Sequence, residues 1–108
     1  MDTRDNKIRE QRLEALLTYL KNRESVTIAE IKNSLGYQDR RMVRKDVEIL
    51  RSLGEPICSG DYGYRYTTDL NEIQNTINRL MRNANGILTT TKALSDTIQV
   101  LKAKGQLA

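Results

Sequence analysis

Arg40, Arg41, Arg44 and Lys45 place four cations within six consecutive positions, with no acidic residue among them. Such a cluster can recognise a polyanion, because guanidinium groups present paired N–H donors to phosphates or to the acceptor edges of bases. It can equally be a solvated helix face, with Arg44 or Lys45 paired to Glu48 one turn further on. The elements around the cluster decide between the two. Catalysis is poorly served. The chain has no histidine, no glycine loop able to cradle phosphates, and no serine or cysteine beside a base. Carboxylates are scattered, mostly at caps and on faces expected to be exposed. The expectation is a protein that is not an enzyme and takes no cofactor and no metal.

The 108 residues suffice for one small domain plus an appendage. With 38% hydrophobic residues and neither Trp nor Phe, the core must be small and aliphatic. Small cores are marginally stable alone, which makes oligomerisation a reasonable expectation. The net charge of +4 suits a polyanionic partner without proving one. Its distribution is more informative: residues 1–54 hold 12 basic and 9 acidic groups, residues 55–108 only 6 and 5. The single cysteine, Cys58, cannot form an internal disulfide and reads as a small buried strand residue. No apolar run reaches the roughly 20 residues that span a bilayer, and the N-terminus, MDTRDNKIRE, shows no signal-peptide core. A soluble protein of a reducing cytoplasm is expected.

A first helix is predicted from Asp5, as N-cap, to Asn22. Ile8, Leu13, Leu16, Leu17 and Leu20 share its inner face and leave Arg9, Arg12 and Lys21 outside. Ser25-Val26 reads as a minimal strand. Thr27-Ile28-Ala29-Glu30 fits a capping box, with Val26 and Ile31 as the hydrophobic staple and Gly36 as the left-handed stop. The cationic helix follows, capped by Asp39 and running to Leu53, with Gly54 closing it. Val43, Val47, Leu50 and Leu53 gather on one side and Arg41, Lys45, Glu48 and Ser52 on the other, with Arg44 at the flank.

Pro56 ends that region. Ile57-Cys58-Ser59 and Tyr64-Arg65-Tyr66-Thr67 read as two strands, joined by Gly60-Asp61-Tyr62-Gly63, whose glycines and Asp61 are expected to supply positive φ angles. Asp69-Leu70-Asn71-Glu72 forms a second capping-box variant. From Leu70 the periodicity becomes heptad: Leu70, Ile77, Ala84, Thr91 and Ile98 at a, with Ile73, Leu80, Ile87, Leu94 and Leu101 at d. A helix of about 35 residues would be roughly 50 Å long, more than a small domain needs. Asn83-Ala84-Asn85-Gly86 and Thr89-Thr90-Thr91 are poor helix formers, so a hairpin of two helices is the alternative. The unbroken heptad phase through Gly86 favours one continuous helix.

This order of parts resembles the winged helix-turn-helix DNA-binding domains of the biotin-operon-repressor and deoxyribose-operon-repressor kinds. The residues that carry the resemblance are Thr27-Ile28-Ala29-Glu30-Ile31 with Leu35-Gly36, then Arg40 to Val47 with Leu50 and Gly54, then Gly63-Tyr64-Arg65. It covers about residues 8 to 68. Asp39 stands where those families commonly have serine, and the turn Gly36-Tyr37-Gln38 is one residue longer. The resemblance implies that the cationic helix enters the major groove of double-stranded DNA while the hairpin wing follows the backbone or minor groove. Arg41 and Lys45 are then the base-edge candidates, Arg40 and Arg44 the phosphate candidates, and Gln38 able to reach either. Tyr62 and Arg65 belong to the wing contact. Tyr37, Tyr64 and Tyr66 read as packing residues.

The expected architecture is therefore mainly α with a small β-hairpin. Residues 1–68 form a winged helix-turn-helix, and residues 69–108 a long oligomerisation helix. The expected function is sequence-specific duplex binding by a homodimeric bacterial or phage transcriptional regulator with no membrane association, no separate effector domain and room for a regulatory protein partner. Weakly charged flanks (Gln74, Met81 and Leu88 at e; Thr76, Asn83 and Thr90 at g) leave strand order open, and apolar Met81 and Leu88 also allow a tetramer. Two other readings stay open: an oligomeric DNA-recognition subunit of phage replication or packaging, and a winged-helix protein-interaction module.

Overall fold

The computed structural model describes residues 3–105, and most helix boundaries fall within a few residues of where the sequence places them. The first helix, α1, spans Thr3–Lys21. Asp5 is therefore not its cap. It lies in the first turn, where a carboxylate still suits the positive end of the helix dipole. Ile8 is 53% exposed rather than packed, and the core begins a turn later, with Leu13 and Leu17 half-buried and Leu16 and Leu20 fully buried.

The helix α2 (Ile28–Leu35) begins at a complete capping box. The Glu30 N–H donates to Thr27 Oγ1 at 3.1 Å, and the Thr27 N–H donates to Glu30 Oε1 at 3.3 Å. Gly36 closes the helix at φ 71°, a conformation that an L side chain resists. Val26 and Ile31 are both buried in the core. The helix α3 (Arg40–Ser52) starts at Asp39, whose carboxylate accepts the Met42 N–H at 2.8 Å. It ends one residue earlier than its apolar pattern suggests. Leu53 becomes the C-cap and turns out to solvent, 70% exposed, instead of completing the buried face of Val43, Val47 and Leu50.

The strands β1 (Ile57–Gly60) and β2 (Gly63–Tyr66) pair antiparallel, with Ile57 opposite Tyr66 and Gly60 opposite Gly63. Val26 adds a third, single-residue strand: its N–H donates to the Tyr64 carbonyl at 2.9 Å and its carbonyl accepts the Tyr64 N–H at 2.7 Å. Tyr64 is thus paired on both sides. In the connection Gly63 alone takes a positive φ, 98°, and no described non-glycine residue does, so Asp61 plays no such part. Gly63 is also held by space, since a Cβ there would collide with the Val26 carbonyl and the Thr27 backbone.

The last helix, α4 (Leu70–Ala103), runs unbroken for 34 residues through Gly86. Asp69 caps it by accepting the Asn71 and Glu72 N–H groups at 2.8 and 3.2 Å. The expected reciprocal half of that capping box is absent, because Glu72 turns to Arg65 and the Asp69 N–H donates to Thr67 Oγ1. Thr76 is buried and accepts the Ser59 N–H at 3.2 Å, tying the second turn of α4 to β1.

The described chain divides into two compact units, Met1–Thr76 and Ile77–Ala108. The first is mainly helical with a small hairpin, a winged helix-turn-helix in which α1, α2 and α3 pack on one another around Leu16, Leu20, Ile31, Val43, Val47 and Ile57. Cys58 is buried beside them. The second is the remainder of α4. The outermost residues of the two expected segments, 1–2 and 106–108, lie outside the described residues. Among the described residues no helix is long and apolar enough to cross a membrane.

Candidate nucleic-acid interface

The polar face of α3 gathers four cations and no acid on its first two turns. Arg40, Arg41, Arg44 and Lys45 are all exposed on its first two turns. Val43, Asp46 and Val47 fill the opposite, buried side. None of the four cations makes a hydrogen bond or ion pair among the described residues. The anticipated pairs of Arg44 or Lys45 with Glu48 do not form, so these charges remain available to a ligand. Gln38, in the turn before the helix, is exposed beside them.

What holds α3 in place is a buried polar group not expected from the sequence. Asp46 is 0% exposed. Arg12 of α1 grips it through both ends of the guanidinium, Nε to Oδ2 at 2.6 Å and Nη2 to Oδ1 at 3.1 Å. The Tyr37 hydroxyl, in the turn, donates to Oδ2 at 2.8 Å. Three elements thus converge on one carboxylate. The hydrogen bond to Asp46 raises the Arg12 pKa, and burial, followed by the hydrogen bond to Asp46, pushes the Tyr37 phenol well above its ordinary value. The expectation that Arg12 points outward is corrected here, and Asp46 is the buried exception among carboxylates that lie mostly at caps and exposed faces. A signal was present: Asp46 stands three residues after Val43 in the stripe that Val47 and Leu50 complete, an acid on an apolar face. An acid there needs a cation from a neighbouring element.

The far end of α3 is fastened to the wing. Arg51 Nε donates to the Ile57 carbonyl at 2.8 Å and its guanidinium stands 6.0 Å from the Tyr64 ring centre. Lys21 lies over the Tyr66 ring at 5.2 Å. The Tyr66 hydroxyl donates to Glu55 Oε2 at 3.0 Å, which raises its pKa. These tyrosines pack and brace, as the sequence suggests. The connection of the wing presents Tyr62, with the Arg65 guanidinium 5.9 Å from its ring centre. Arg65 itself is engaged: Nη1 donates to Glu72 Oε1 at 2.7 Å, so its charge is locally matched within the protein.

A capped second helix carrying exposed cations, braced by a preceding helix and followed by a hairpin wing, defines a helix-turn-helix DNA-binding domain. Comparison with protein families agrees: the family model described as "HTH domain" matches residues 12–65, half of the 108-residue chain, and the chain belongs to that family. No curated protein and no solved structure matches the chain.

Proposed function

We propose that this protein is a sequence-specific, double-stranded DNA-binding transcriptional regulator of a bacterium or phage that works as a homodimer through α4. The observation carrying the DNA mechanism is the set of four exposed, unpaired cations on the first two turns of α3. In this reading Arg41 and Lys45 meet base edges, Arg40 and Arg44 meet phosphates, Gln38 serves either, and the wing contributes Tyr62 and Arg65. The resemblance to the repressor domains of the biotin and deoxyribose operons supports regulation as the use of that binding.

The dimer rests on α4. From Ile77 to Leu101 its a and d side chains stand in solvent, with Ile77 42% and Ile87 68% exposed. A seam so long and so bare is stabilised by a second helix. Two copies then suit a two-fold symmetric site with half-sites about one helical turn apart. Neither regulation nor pairing requires catalysis.

The deciding experiment is titration of random and selected duplexes with the double variant Arg41→Ala, Lys45→Ala at fixed salt. Losing two base-directed contacts should weaken specific binding on the order of 100-fold or more. Unchanged duplex binding by a folded double variant would transfer the interface to another surface and favour a protein-binding role for the domain.

A further inference from the structure

The small residues of the α4 seam all sit on one side of its repeat. Between Ile77 and Leu101 the a positions are Ile77, Ala84, Thr91 and Ile98, and the d positions are Leu80, Ile87, Leu94 and Leu101. Every d residue is large, while the two central a residues are small or polar. In a parallel pair a packs on a, so Ala84 would face Ala84 and Thr91 would face Thr91. The two central a layers, on either side of the Ile87 layer, would then be thin and, at Thr91, polar. In an antiparallel pair a packs on d, and each small side chain meets a large one.

The boundary of the free seam selects the register. Residues up to Thr76 belong to the first compact unit, and Thr76 is buried against β1 through Ser59. Ile73 is half-buried, so the continuous run of exposed a and d side chains is Ile77 to Leu101. Laying this stretch against its own reverse pairs Ile77 with Leu101, Leu80 with Ile98, Ala84 with Leu94 and Ile87 with Thr91, each pair occurring twice. The flanks fit the same alignment. Leu88 falls beside its own copy at the centre of one flank, Thr90 beside its own copy on the other, and Met81 opposite Ser95. Lys102 and Lys104, which a parallel pair would gather at one end, are carried to opposite ends. Opposed helix dipoles favour this direction as well.

We infer that α4 pairs with α4 of a second copy in antiparallel orientation over Ile77–Leu101, centred at Thr89. This rests on the homodimer reading and adds its geometry. The two Ile77 residues, where the seam leaves each DNA-binding unit, lie roughly 36 Å apart along the coil at about 1.5 Å per residue. That is close to one turn of B-DNA, about 34–36 Å. The coil then acts as a spacer between two domains at its opposite ends, where a parallel coil would draw both to one end.

The test is intermolecular distance measurement on the full chain carrying a single spin label, at Thr89→Cys in one variant and at Asn75→Cys in another. Both positions are exposed and lie off the seam, and Cys58 is buried and stays unlabelled. The antiparallel pair gives a short distance at position 89 and one longer by roughly 20 Å or more at position 75, where the labels are offset about 42 Å along the axis. Equal distances at the two positions would overturn the antiparallel arrangement while leaving the dimer intact. Absence of any intermolecular coupling in both variants would overturn the pairing itself and the homodimer reading with it.

Discussion

Arg12 and Asp46, 34 positions apart in the chain, meet at 2.6 Å, and the carboxylate is completely buried while the guanidinium side chain keeps 35% of its exposure. The pair joins α1 to α3 from the core side. The Tyr37 hydroxyl shares the same oxygen and adds the turn to the junction. The helix that carries the four exposed cations is thus held by an ion pair on its buried side. Removing the cation leaves an unpaired buried charge, the costly way to break such a pair. Arg12→Ala should therefore lower unfolding stability by about 3 kcal/mol, the low end of the range because Arg12 is partly solvated. Urea unfolding at neutral pH measures this. Arg41→Ala, on the open face of α3, should change stability by no more than about 0.5 kcal/mol. Equal costs for the two variants would mean that Asp46 is not the fastening point.

Tyr37 adds a pH dependence of definite sign. Burial and its hydrogen bond to Asp46 raise its folded-state pKa, so the folded protein holds the phenolic proton more tightly than the unfolded chain does. Its contribution is complete below the unfolded value of about 10 and is lost as pH rises beyond it, by at most about 1.4 kcal/mol per pH unit. Tyr66 acts in the same direction through Glu55, and Tyr19, whose pKa is lowered by its hydrogen bond to Ser34, acts oppositely. The readout is therefore the difference between wild type and Tyr37→Phe. At pH 7 the variant should be less stable by about 1.5–3 kcal/mol, having lost a hydrogen bond to a charged group. The gap should narrow as pH rises from about 10 to about 11. A gap that stays constant with pH would deny Tyr37 this role.

The four α3 cations should separate into two kinds of defect. Arg40→Ala and Arg44→Ala are expected to weaken binding to all duplexes alike and to reduce the salt slope of log K by about 0.9 for each phosphate no longer neutralised. Arg41→Ala should instead relax the preference at one base position, costing about 1–3 kcal/mol on the preferred sequence and little elsewhere. Titrations on preferred and scrambled duplexes at several salt concentrations distinguish the two. If Arg41→Ala weakens both duplexes equally, Arg41 meets the backbone.

The wing makes a less obvious prediction. Arg65 is held by Glu72, and the ion pair is partly exposed at both ends, so it contributes little to stability. Releasing it should matter more for binding than for folding. Glu72→Gln is expected to tighten non-specific duplex binding and steepen the salt slope by up to about 0.9, as a freed guanidinium reaches a phosphate. Arg65→Ala should then abolish that gain in the double variant. No change in either variant would remove Arg65 from the interface.

Much of the fold is legible in the sequence because the signals are local. Thr27 with Glu30, Asp39 and Gly36 act within one helical turn, and the structure uses each as its chemistry requires. The heptad phase from Leu70 onward also carries through Gly86, since one glycine costs a long helix only about 1 kcal/mol. Sequence and structure part where a distant element decides. Arg12 reads as exposed because helical periodicity sees only its own helix, and its partner lies 34 positions away. Glu72 reads as half of a capping box, but Arg65, on a neighbouring strand, claims it. Leu53 follows the apolar stripe of α3 but falls one residue past the end of the helix, where the stripe no longer points inward.

The glycines offer a test of local against tertiary control. Gly63 is fixed twice, by φ 98° and by the Val26 carbonyl that a Cβ would strike. Backbone atoms cannot step aside cheaply, so Gly63→Ala should cost at least about 2 kcal/mol and displace the wing. Gly60 differs: the nearest atoms a Cβ would meet there belong to the Tyr62 ring, at 2.8 Å, and a side chain can rotate away. Gly60→Ala should therefore cost far less. Gly86 lies inside α4, and nothing stands within 4 Å of the place a methyl group would take there. Gly86→Ala should raise helix stability by up to about 1 kcal/mol, because alanine replaces the costliest residue short of proline in a helix interior. Thermal unfolding followed by circular dichroism ranks the three. A destabilising Gly86→Ala would mean that a partner helix approaches α4 closely at that position.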